Sequence, residues 1–437
     1  MNIKNIFLLI SLFQISLTGI SQNNLSLEQA IQIGLENHYQ IKIANEQISI
    51  AKNNNSLGNI GLLPNISSTT NQNNTISNLN QSFFGGLRPP LIQSGVNNRN
   101  LNSGLNLNYT LFAGKGFFYL KNRFKLLEDL GVNQSETTVE NFISDISTTY
   151  YEVIREELRL LNIKKGLEIS NDRLKLAKDR YDVGQGSKVD YLSAQVDYNE
   201  DYAAGLAQEQ NLKNKKIELN TLLVRNHLEE FIIEPEINLL SPLNLNEIKD
   251  KALSLNPNLI GAIINKKIAE NQIGTIKSSY LPRIDLTSGY TGNFVRNGAG
   301  FGIEKGSSYI FNYGLRLTIP IYDGSNLKRQ VKNAQINSHI AELQFEDFKN
   351  QLISAIERTF TAYENAIKLI ELEEQNYLIA QQNVEIAFER YRVGMATSYE
   401  LREVQRNAVA AETRLIEAKF SAKSAEIELI RLSGELI

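Results

Sequence analysis

Apolar residues recur at every seventh position along two long stretches of the chain. This spacing is typical of a helix that packs along one seam against neighbouring helices. We therefore predict uninterrupted helices over residues 116–183 and 326–393, each about 100 Å long at a rise of about 1.5 Å per residue. The two seams are formed by Val139, Ile146, Val153, Leu160, Leu167, Leu174 and Tyr181, and by Ile356, Tyr363, Ile370, Tyr377, Val384 and Tyr391.

Helices of this length do not fold alone, so shorter helices must pack against them. In the first half of the chain, residues of roughly 26–60 and 187–225 have helical character. Placed end to end, these two segments match the length of one long helix. The sequence therefore predicts bundles in which one long helix packs against two shorter ones.

Alternation of apolar and polar residues between the helices predicts β-strands. Phe311, Tyr313 and Leu315, for example, alternate with Asn312 and Gly314. The first strand is rich in Asn, Ser and Thr, and we predict it mainly because its counterpart in the second half of the chain is a strand. The four predicted strands cover about 64–82, 99–113, 282–297 and 307–322.

The chain contains two copies of one unit. The segment Arg-Tyr-Asp-Val-Gly at 180–184 is matched by Arg-Tyr-Arg-Val-Gly at 390–394. Such internal similarity indicates that each copy folds as the same succession of helices and strands. The predicted divisions are a first repeat over 22–225, a linker with two prolines over 226–242, and a second repeat over 243–437.

Residues 1–21 have the features of a cleaved secretory signal peptide. Lys4 precedes an apolar stretch from Ile6 to Leu17, and small residues stand before Gln22. The stretch is about 12 residues long, whereas a spanning helix needs roughly 20. An uncleaved anchor is the alternative for this segment. We expect an exported mature chain without a spanning helix, so that any membrane crossing would use strands closed into a barrel.

The composition excludes several classes of function. The 437 residues include 45 basic and 48 acidic side chains, a net charge of −3, which gives no electrostatic case for binding nucleic acid. Cysteine is absent, which excludes disulfides, thiolate metal sites, cysteine nucleophiles and a lipid-modified N-terminal cysteine. His38, His227 and His339 are scattered, and no nucleophile has a convincing base. We expect no enzyme, no cofactor and no metal site.

The predicted strands have the length of tilted strands that span a membrane, about 10 residues. Four strands cannot enclose a barrel, for which about eight are the minimum, so several chains would have to contribute. The alternative is a periplasmic α+β protein whose hairpins lay their apolar faces on the helices. The residues expected to face lipid are Leu105, Leu107, Tyr109, Phe311, Tyr313, Leu315 and Leu317.

The signal peptide, the duplicated unit, the two Arg-Tyr-x-Val-Gly turns and Tyr-Asp-Gly at 322–324 together resemble the TolC-type outer membrane efflux proteins. The resemblance covers essentially the whole mature chain. It implies a mainly α-helical homotrimer of duplicated strand–long-helix units, whose 12-stranded outer membrane β-barrel continues into a periplasmic α-helical tunnel. It also implies a periplasmic adaptor (membrane fusion) protein and an inner membrane pump as partners, in efflux or type I secretion by a Gram-negative cell. The segment 226–242 and the C-terminal end would lie in a belt around the tunnel.

The resemblance also implies roles for individual residues near the two turns. Val183, Gly184, Val393 and Gly394 match the periplasmic tips that contact the adaptor, although these glycines would cap their helices in any case. The residues that match the tunnel entrance, or gate, are Asp190, Tyr391, Glu400 and Glu403. Ala396 stands where some members carry a basic latch residue, so we do not expect a salt-bridged latch at that position.

Two functions fit these observations. The first is a passive outer membrane exit duct that receives substrate from the pump and adaptor, with its large extension in the periplasm. The second is a non-transport periplasmic coiled-coil scaffold. Within the first, the substrate stays open between small molecules, metals and polypeptides, because a broad polar tunnel contains no substrate pocket to interpret.

Overall fold

The computed structural model describes residues 24–86, 88–240, 242–299 and 302–436. The predicted signal peptide, residues 1–21, lies outside the described residues. Within the described ranges, no helix combines the length and the hydropathy needed to cross a membrane.

The first half of the chain forms short helices, a β-hairpin and a helical hairpin. The elements are α1 (Leu27–Asn37), α2 (Tyr39–Asn54), α3 (Leu57–Ile60), β1 (Asn65–Gln81), β2 (Leu91–Ala113), α4 (Gly116–Asp182) and α5 (Lys188–Leu222). The helix predicted over roughly 26–60 is broken at His38, whose backbone is extended at φ −64° and ψ 131°. The hydrophobic pattern alone does not reveal this break, because it continues on both sides.

The second half of the chain repeats this succession. Its elements are α6 (Leu245–Leu255), α7 (Pro257–Ser278), β3 (Arg283–Arg296), β4 (Lys305–Thr318), α8 (Asn326–Arg392) and α9 (Ser398–Ser433). Helices α4 and α8 each contain 67 residues, as the sevenfold spacing predicts. Neither contains proline, so every residue after the first turn can donate its backbone N–H within the helix.

The described strands form a four-stranded antiparallel sheet in the order β1-β2-β3-β4, which leaves β1 and β4 as its edges. Leu105 of β2 lies opposite Tyr290 of β3, and Tyr290 lies opposite Phe311 of β4. Because side chains alternate between the two faces of a strand, these three residues share one face. The register therefore sorts the sheet into an apolar face, which contains this row, and a polar face.

Two strands differ from their predicted bounds. β2 begins at Leu91 instead of about residue 99, because its first residues pair with the end of β1 as far as Gln81. β4 ends at Thr318 instead of about residue 322. Pro320 follows closely, and proline has no N–H to donate to a sheet.

The described residues divide into two compact units that cut across the two sequence repeats. One unit contains Asn45–Ser135 and Asn258–Lys349, and therefore the whole sheet. The other contains the residues up to Ala44, then Glu136–Pro257, and the chain from Asn350 onward. This second group includes both helical turns, between α4 and α5 and between α8 and α9.

The core of the unit that contains the turns lies where α1 meets α4. Ile146 is fully buried there, and a Cβ atom on Gly34 would lie only 2.4 Å from its Cδ1 atom, so glycine permits the close approach. Phe231, from the segment between α5 and α6, is buried in the same cluster. The backbone N–H of Leu25 donates to the carbonyl oxygen of Ile232 at 2.9 Å. Hydrophobic burial and backbone pairing therefore hold this segment against the residues just before α1 and against α1 itself.

The seam of α4 changes character along the helix. Ile146 and Val153 are buried as predicted, whereas Leu167 and Leu174 are only half-buried. Toward the end of α4 the buried positions are Gly166, Ser170, Arg173 and Ala177. The apolar seam predicted from the sequence is therefore wrong for this part of α4, because small and polar residues occupy the packed face.

Candidate functional site

The two helical turns have the same backbone geometry. Gly184 and Gly394 adopt left-handed φ values of 76° and 83°, which a residue with a Cβ atom rarely adopts. In each turn the residue after the glycine donates its N–H at 2.8 Å to the carbonyl oxygen of an arginine, Arg180 or Arg390. Left-handed glycine thus ends each long helix and lets the chain reverse within a few residues.

Side-chain caps begin the helices that follow the turns. The hydroxyl of Ser187 accepts the N–H of Asp190 at 3.1 Å. The hydroxyl of Thr397 accepts the N–H of Glu400 at 3.1 Å, and the Glu400 carboxylate accepts the N–H of Thr397 at 2.8 Å. Both carboxylates thus lie in the first turn of a helix, where its dipole favours negative charge. Part of the role of Glu400 is to cap α9.

The predicted gate residues differ in exposure within the single chain. Asp190, Glu400 and Glu403 are exposed. Tyr391 is buried, packed with Ala387 and Leu401. The tip residues are exposed as well, with Val183 at 69% and Val393 at 62%.

Tyr391 also forms a contact between the two helical hairpins. The Arg180 guanidinium donates to the carbonyl oxygen of Tyr391 at 2.5 Å and lies 4.8 Å from the centre of its ring. Leu176 packs against the same cluster. Sequence reasoning missed this role of Arg180, because the repeat places an arginine at the same position of both turns. The counterpart, Arg390, donates within its own turn, to the carbonyl oxygen of Met395.

A network of charged side chains also links the hairpins. Arg402 of α9 donates to Asp201 of α5 at 2.6 Å and to Glu200 at 3.1 Å. Its side chain is only 11% exposed. Burial alone would lower the pKa of Arg402, but the hydrogen bond and negative charge of Asp201 outweigh burial and raise it. The guanidinium therefore stays charged at any physiological pH.

The network extends into the packed face of α4. Arg173, whose side chain is fully buried, donates to Asp197 of α5 at 2.6 Å. Gln405 of α9 donates to the carbonyl oxygen of Gly166 at 2.7 Å and to the hydroxyl of Ser170 at 2.6 Å. These contacts explain why polar and small residues replace the apolar seam at this end of α4.

None of these network residues was predicted from the sequence. Asp201 and Arg402 are far apart in the chain, and an arginine on a charged helix normally indicates a solvated surface. The available signal for the network was the charged residue Arg173, which lies next to the predicted seam position Leu174.

Ala396, where no salt-bridged latch is expected, is partly buried against the Tyr391 cluster. Polar links between the hairpins come instead from other residues, among them Arg180, Gln405 and Arg402.

The sheet provides the second candidate surface. The register aligns the seven predicted lipid-facing residues on the apolar face. Of these, Leu105, Phe311, Tyr313, Leu315 and Leu317 are exposed in the single chain, whereas Leu107 and Tyr109 are half-buried.

The opposite face of the sheet is polar. Asn102 lies opposite Asn71 on one side and Asn293 on the other, and other rows are similarly rich in Asn, Ser, Thr and Gly. Its charged residues lie near the helical end, where Asp285 accepts hydrogen bonds from Thr110 at 2.7 Å and from Arg283 at 2.9 Å. The sheet thus separates an exposed apolar surface from a hydrophilic one.

No group of three or more His, Cys, Asp or Glu side chains suited to a metal ion occurs in the described part of the chain. The candidate sites are surfaces and contacts between helices. An exposed apolar sheet face together with two long helical hairpins defines a class, the membrane channels with an α-helical extension.

Comparisons with known proteins show which family the chain is similar to. Residues 248–435 match the family described as outer membrane efflux protein. The chain is 23% identical over 338 residues to the outer membrane protein TolC of Escherichia coli, which covers 75% of this chain and 68% of TolC. It is 20% identical to the alkaline protease secretion protein AprF of Pseudomonas aeruginosa, which covers 94% of this chain and 85% of AprF.

Solved structures show the same fold. The outer membrane channel CmeC of Campylobacter jejuni aligns with a TM-score of 0.75 at 18% identity, over 94% of this chain and 85% of CmeC. The outer membrane channel OprN aligns with a TM-score of 0.74 at 16% identity, over 93% of this chain and 89% of OprN.

The resemblance to the TolC-type outer membrane efflux proteins, inferred from the repeated turns, is therefore confirmed. The location of the chain in the outer membrane and its mainly helical fold with a small sheet are confirmed with it. The family consists of channels rather than enzymes.

Proposed function

We propose that this protein is the exit duct of a tripartite efflux or secretion system. Three copies join their sheets into a 12-stranded barrel in the outer membrane, and their helices form a periplasmic tunnel. An inner membrane pump supplies the energy and hands substrate over through a periplasmic adaptor. The duct itself is passive and catalyses no reaction.

The apolar face of the sheet carries this proposal. Tyr313, Leu315 and Leu317 are 79%, 70% and 60% exposed, which would be costly in water but favourable against lipid. The edges β1 and β4 each have one unpaired side in the single chain. Joining β4 of one copy to β1 of the next satisfies both edges and closes the barrel after three copies.

The tips of the helical hairpins suit contact with an adaptor. Gly184 and Gly394 reverse the chain with little bulk, which leaves Val183 and Val393 exposed beside them. Small apolar residues on a projecting turn can enter the groove between two helices of a partner. We assign the adaptor contact to these four residues.

The entrance of the duct is assigned to Asp190, Tyr391, Glu400 and Glu403. Three copies of an exposed carboxylate around a narrow opening attract cations and repel anions. Tyr391 acts differently, since it is buried between the hairpins and holds them together.

The first test is the mass of the complex extracted by detergent from isolated outer membranes, by light scattering corrected for bound detergent. We expect the protein mass of three chains. A monomer recovered from the soluble periplasmic fraction would contradict the duct and support the coiled-coil scaffold.

Neutralising Glu400 and Glu403 is expected to weaken the cation preference of the purified channel. Glutamine is the suitable replacement at 400, because its amide oxygen can still accept the N–H of Thr397 and preserve the cap of α9. The reversal potential across a planar bilayer with a salt gradient measures the preference, which should move toward equal permeability. The matched control is Glu36→Gln with Glu46→Gln, in α1 and α2. Equal reversal potentials in wild type and in the Glu400→Gln, Glu403→Gln variant would remove these carboxylates from the entrance.

A further inference from the structure

A row of basic residues crosses β2, β3 and β4 beside the connection between β3 and β4. Arg99 of β2 lies opposite Arg296 of β3, and Arg296 lies opposite Lys305 of β4. The row continues to Asn74 of β1, which lies opposite Arg99. All three basic side chains are exposed.

The basic row lies on the apolar face. Arg296 is two residues from Phe294, and side chains two residues apart point to the same side of a strand. Phe294 packs edge-on against Tyr309 at 5.9 Å, and Tyr309 stacks on Tyr290 at 6.3 Å. The cations therefore come directly after a cluster of aromatic rings, on the face proposed to contact lipid.

Pairing within the protein does not account for this row. Like charges directly opposite each other destabilise a sheet. Among the residues that the structure describes, no carboxylate forms an ion pair with Arg99, Arg296 or Lys305. Arg283, at the other end of β3, does have such a partner, since it pairs with Asp285 at 2.9 Å.

A second copy of the chain would not supply the missing negative charge from its adjoining strand. The strand that would join β4 is β1 of the next copy, and β1 contains no Asp or Glu. The residue of β1 that aligns with the basic row is Asn74, which is uncharged. The anion must therefore come from outside the sheet.

The position along the strands indicates a lipid interface. The apolar rows extend from Ile284 to Phe294, about 33 Å along the strand at about 3.3 Å per residue. At the usual barrel tilt of about 40°, this corresponds to a band about 25 Å tall, the height expected for the hydrocarbon layer. The row at Arg296 lies about 5 Å beyond that band, at the depth of lipid headgroups.

The row lies at the outer surface of the membrane in the proposed duct. Helices α3, α4, α7 and α8 adjoin the opposite ends of the strands. Beyond the basic row lie the paired ends of β1 and β2, Thr75–Gln81 and Leu91–Asn98, and the connections between the strands of each hairpin. With the helices in the periplasm, the parts of the sheet beyond the basic row face outward.

We propose that Arg99, Arg296 and Lys305 form a binding site for the phosphate groups of a phosphorylated outer-leaflet glycolipid, such as lipid A. The inference rests on the proposed placement of the sheet across the outer membrane. Arginine binds phosphate through paired N–H donors, and lysine adds a point charge. The acyl chains of the same lipid would lie on Phe294 and Tyr309, so one ligand satisfies both the charges and the apolar surface.

The test uses the full-length trimer, purified and freed of lipid in neutral detergent. Diphosphorylated lipid A is titrated onto wild type, onto the Arg99→Gln, Arg296→Gln, Lys305→Gln variant and onto a charge-matched control. The control, Arg316→Gln with Lys328→Gln and Lys332→Gln, removes three exposed cations that lie off the apolar face. Since each basic residue near an anionic lipid surface contributes about 1 kcal/mol, the triple variant should bind about a hundredfold more weakly, and the control as wild type does.

Two further probes separate the lipid from its phosphate. Dephosphorylated lipid A should bind wild type as weakly as diphosphorylated lipid A binds the triple variant. Inorganic phosphate alone should not compete at millimolar concentration. Equal binding of the two lipids, or full competition by inorganic phosphate, would overturn the proposed site.

The outcomes also separate this inference from the proposed function. A wild-type protein that is not a trimer in the outer membrane contradicts the duct itself. A normal trimer whose affinity for lipid A is unchanged by the triple substitution contradicts only the lipid site. If the triple variant fails to assemble, Arg296→Gln alone is measured. It should weaken binding about fivefold, and unchanged binding would overturn the proposal.

Discussion

Replacing Arg402 by methionine is expected to loosen the contact between the two helical hairpins and to raise the conductance of the purified channel. The Arg402 guanidinium lies 2.6 Å from Asp201 and 3.1 Å from Glu200, on the neighbouring hairpin. Breaking a buried ion pair by removing one partner costs about 3–5 kcal/mol, because the other charge loses its compensation. Conductance of single channels in a planar bilayer measures the effect.

The control for Arg402 lies one helical turn further along α9. Arg406 is exposed, so Arg406→Met removes the same charge without breaking the link and should leave conductance unchanged. Adding Asp201→Asn to Arg402→Met removes the uncompensated carboxylate and should restore part of the lost stability. Wild-type conductance together with wild-type thermal stability in Arg402→Met would show that this ion pair does not hold the hairpins together.

The long helices and the strands could be predicted because their patterns are local and repeated. The sevenfold spacing gives α4 and α8 within about one residue of their ends, since nothing in either segment interrupts a helix. Leu91 was missed as the start of β2, because apolar and polar residues do not alternate regularly over 91–98. Their strand conformation depends on pairing with β1, which no local pattern encodes.

The candidate site was predictable only where it belongs to a motif. Gly184 and Gly394 lie in the repeated turn, and their left-handed backbone follows from the residue type. Arg402 and Asp201 belong to no repeated motif, and their contact arises only when separate helices pack together. The burial of Tyr391 has the same origin, since it depends on Arg180 and Leu176 of the other hairpin.

Substituting arginine for Phe311 is expected to abolish assembly in the outer membrane. Phe311 lies opposite Tyr290 in a central row of the apolar face and is 64% exposed. An arginine that faces lipid near the middle of the membrane costs about 2–4 kcal/mol in each chain, and a trimer contains three copies. The measurement is the amount of trimer in isolated outer membranes, on gels run without heating.

The adjacent residue gives the matched control for Phe311. Asn312 occupies the same depth on β4, but its side chain lies on the polar face, so Asn312→Arg should leave the trimer near wild-type amounts. Leu315 lies nearer the helical end of the apolar rows, and Leu315→Arg should have an intermediate effect because the cost falls toward the interface. Normal amounts of trimer with Phe311→Arg, or equal loss with Phe311→Arg and Asn312→Arg, would contradict a lipid-facing role for the apolar face. The two neighbouring residues are expected to respond differently to the same charge because, in the proposed duct, one face of β4 lies in lipid and the other in water.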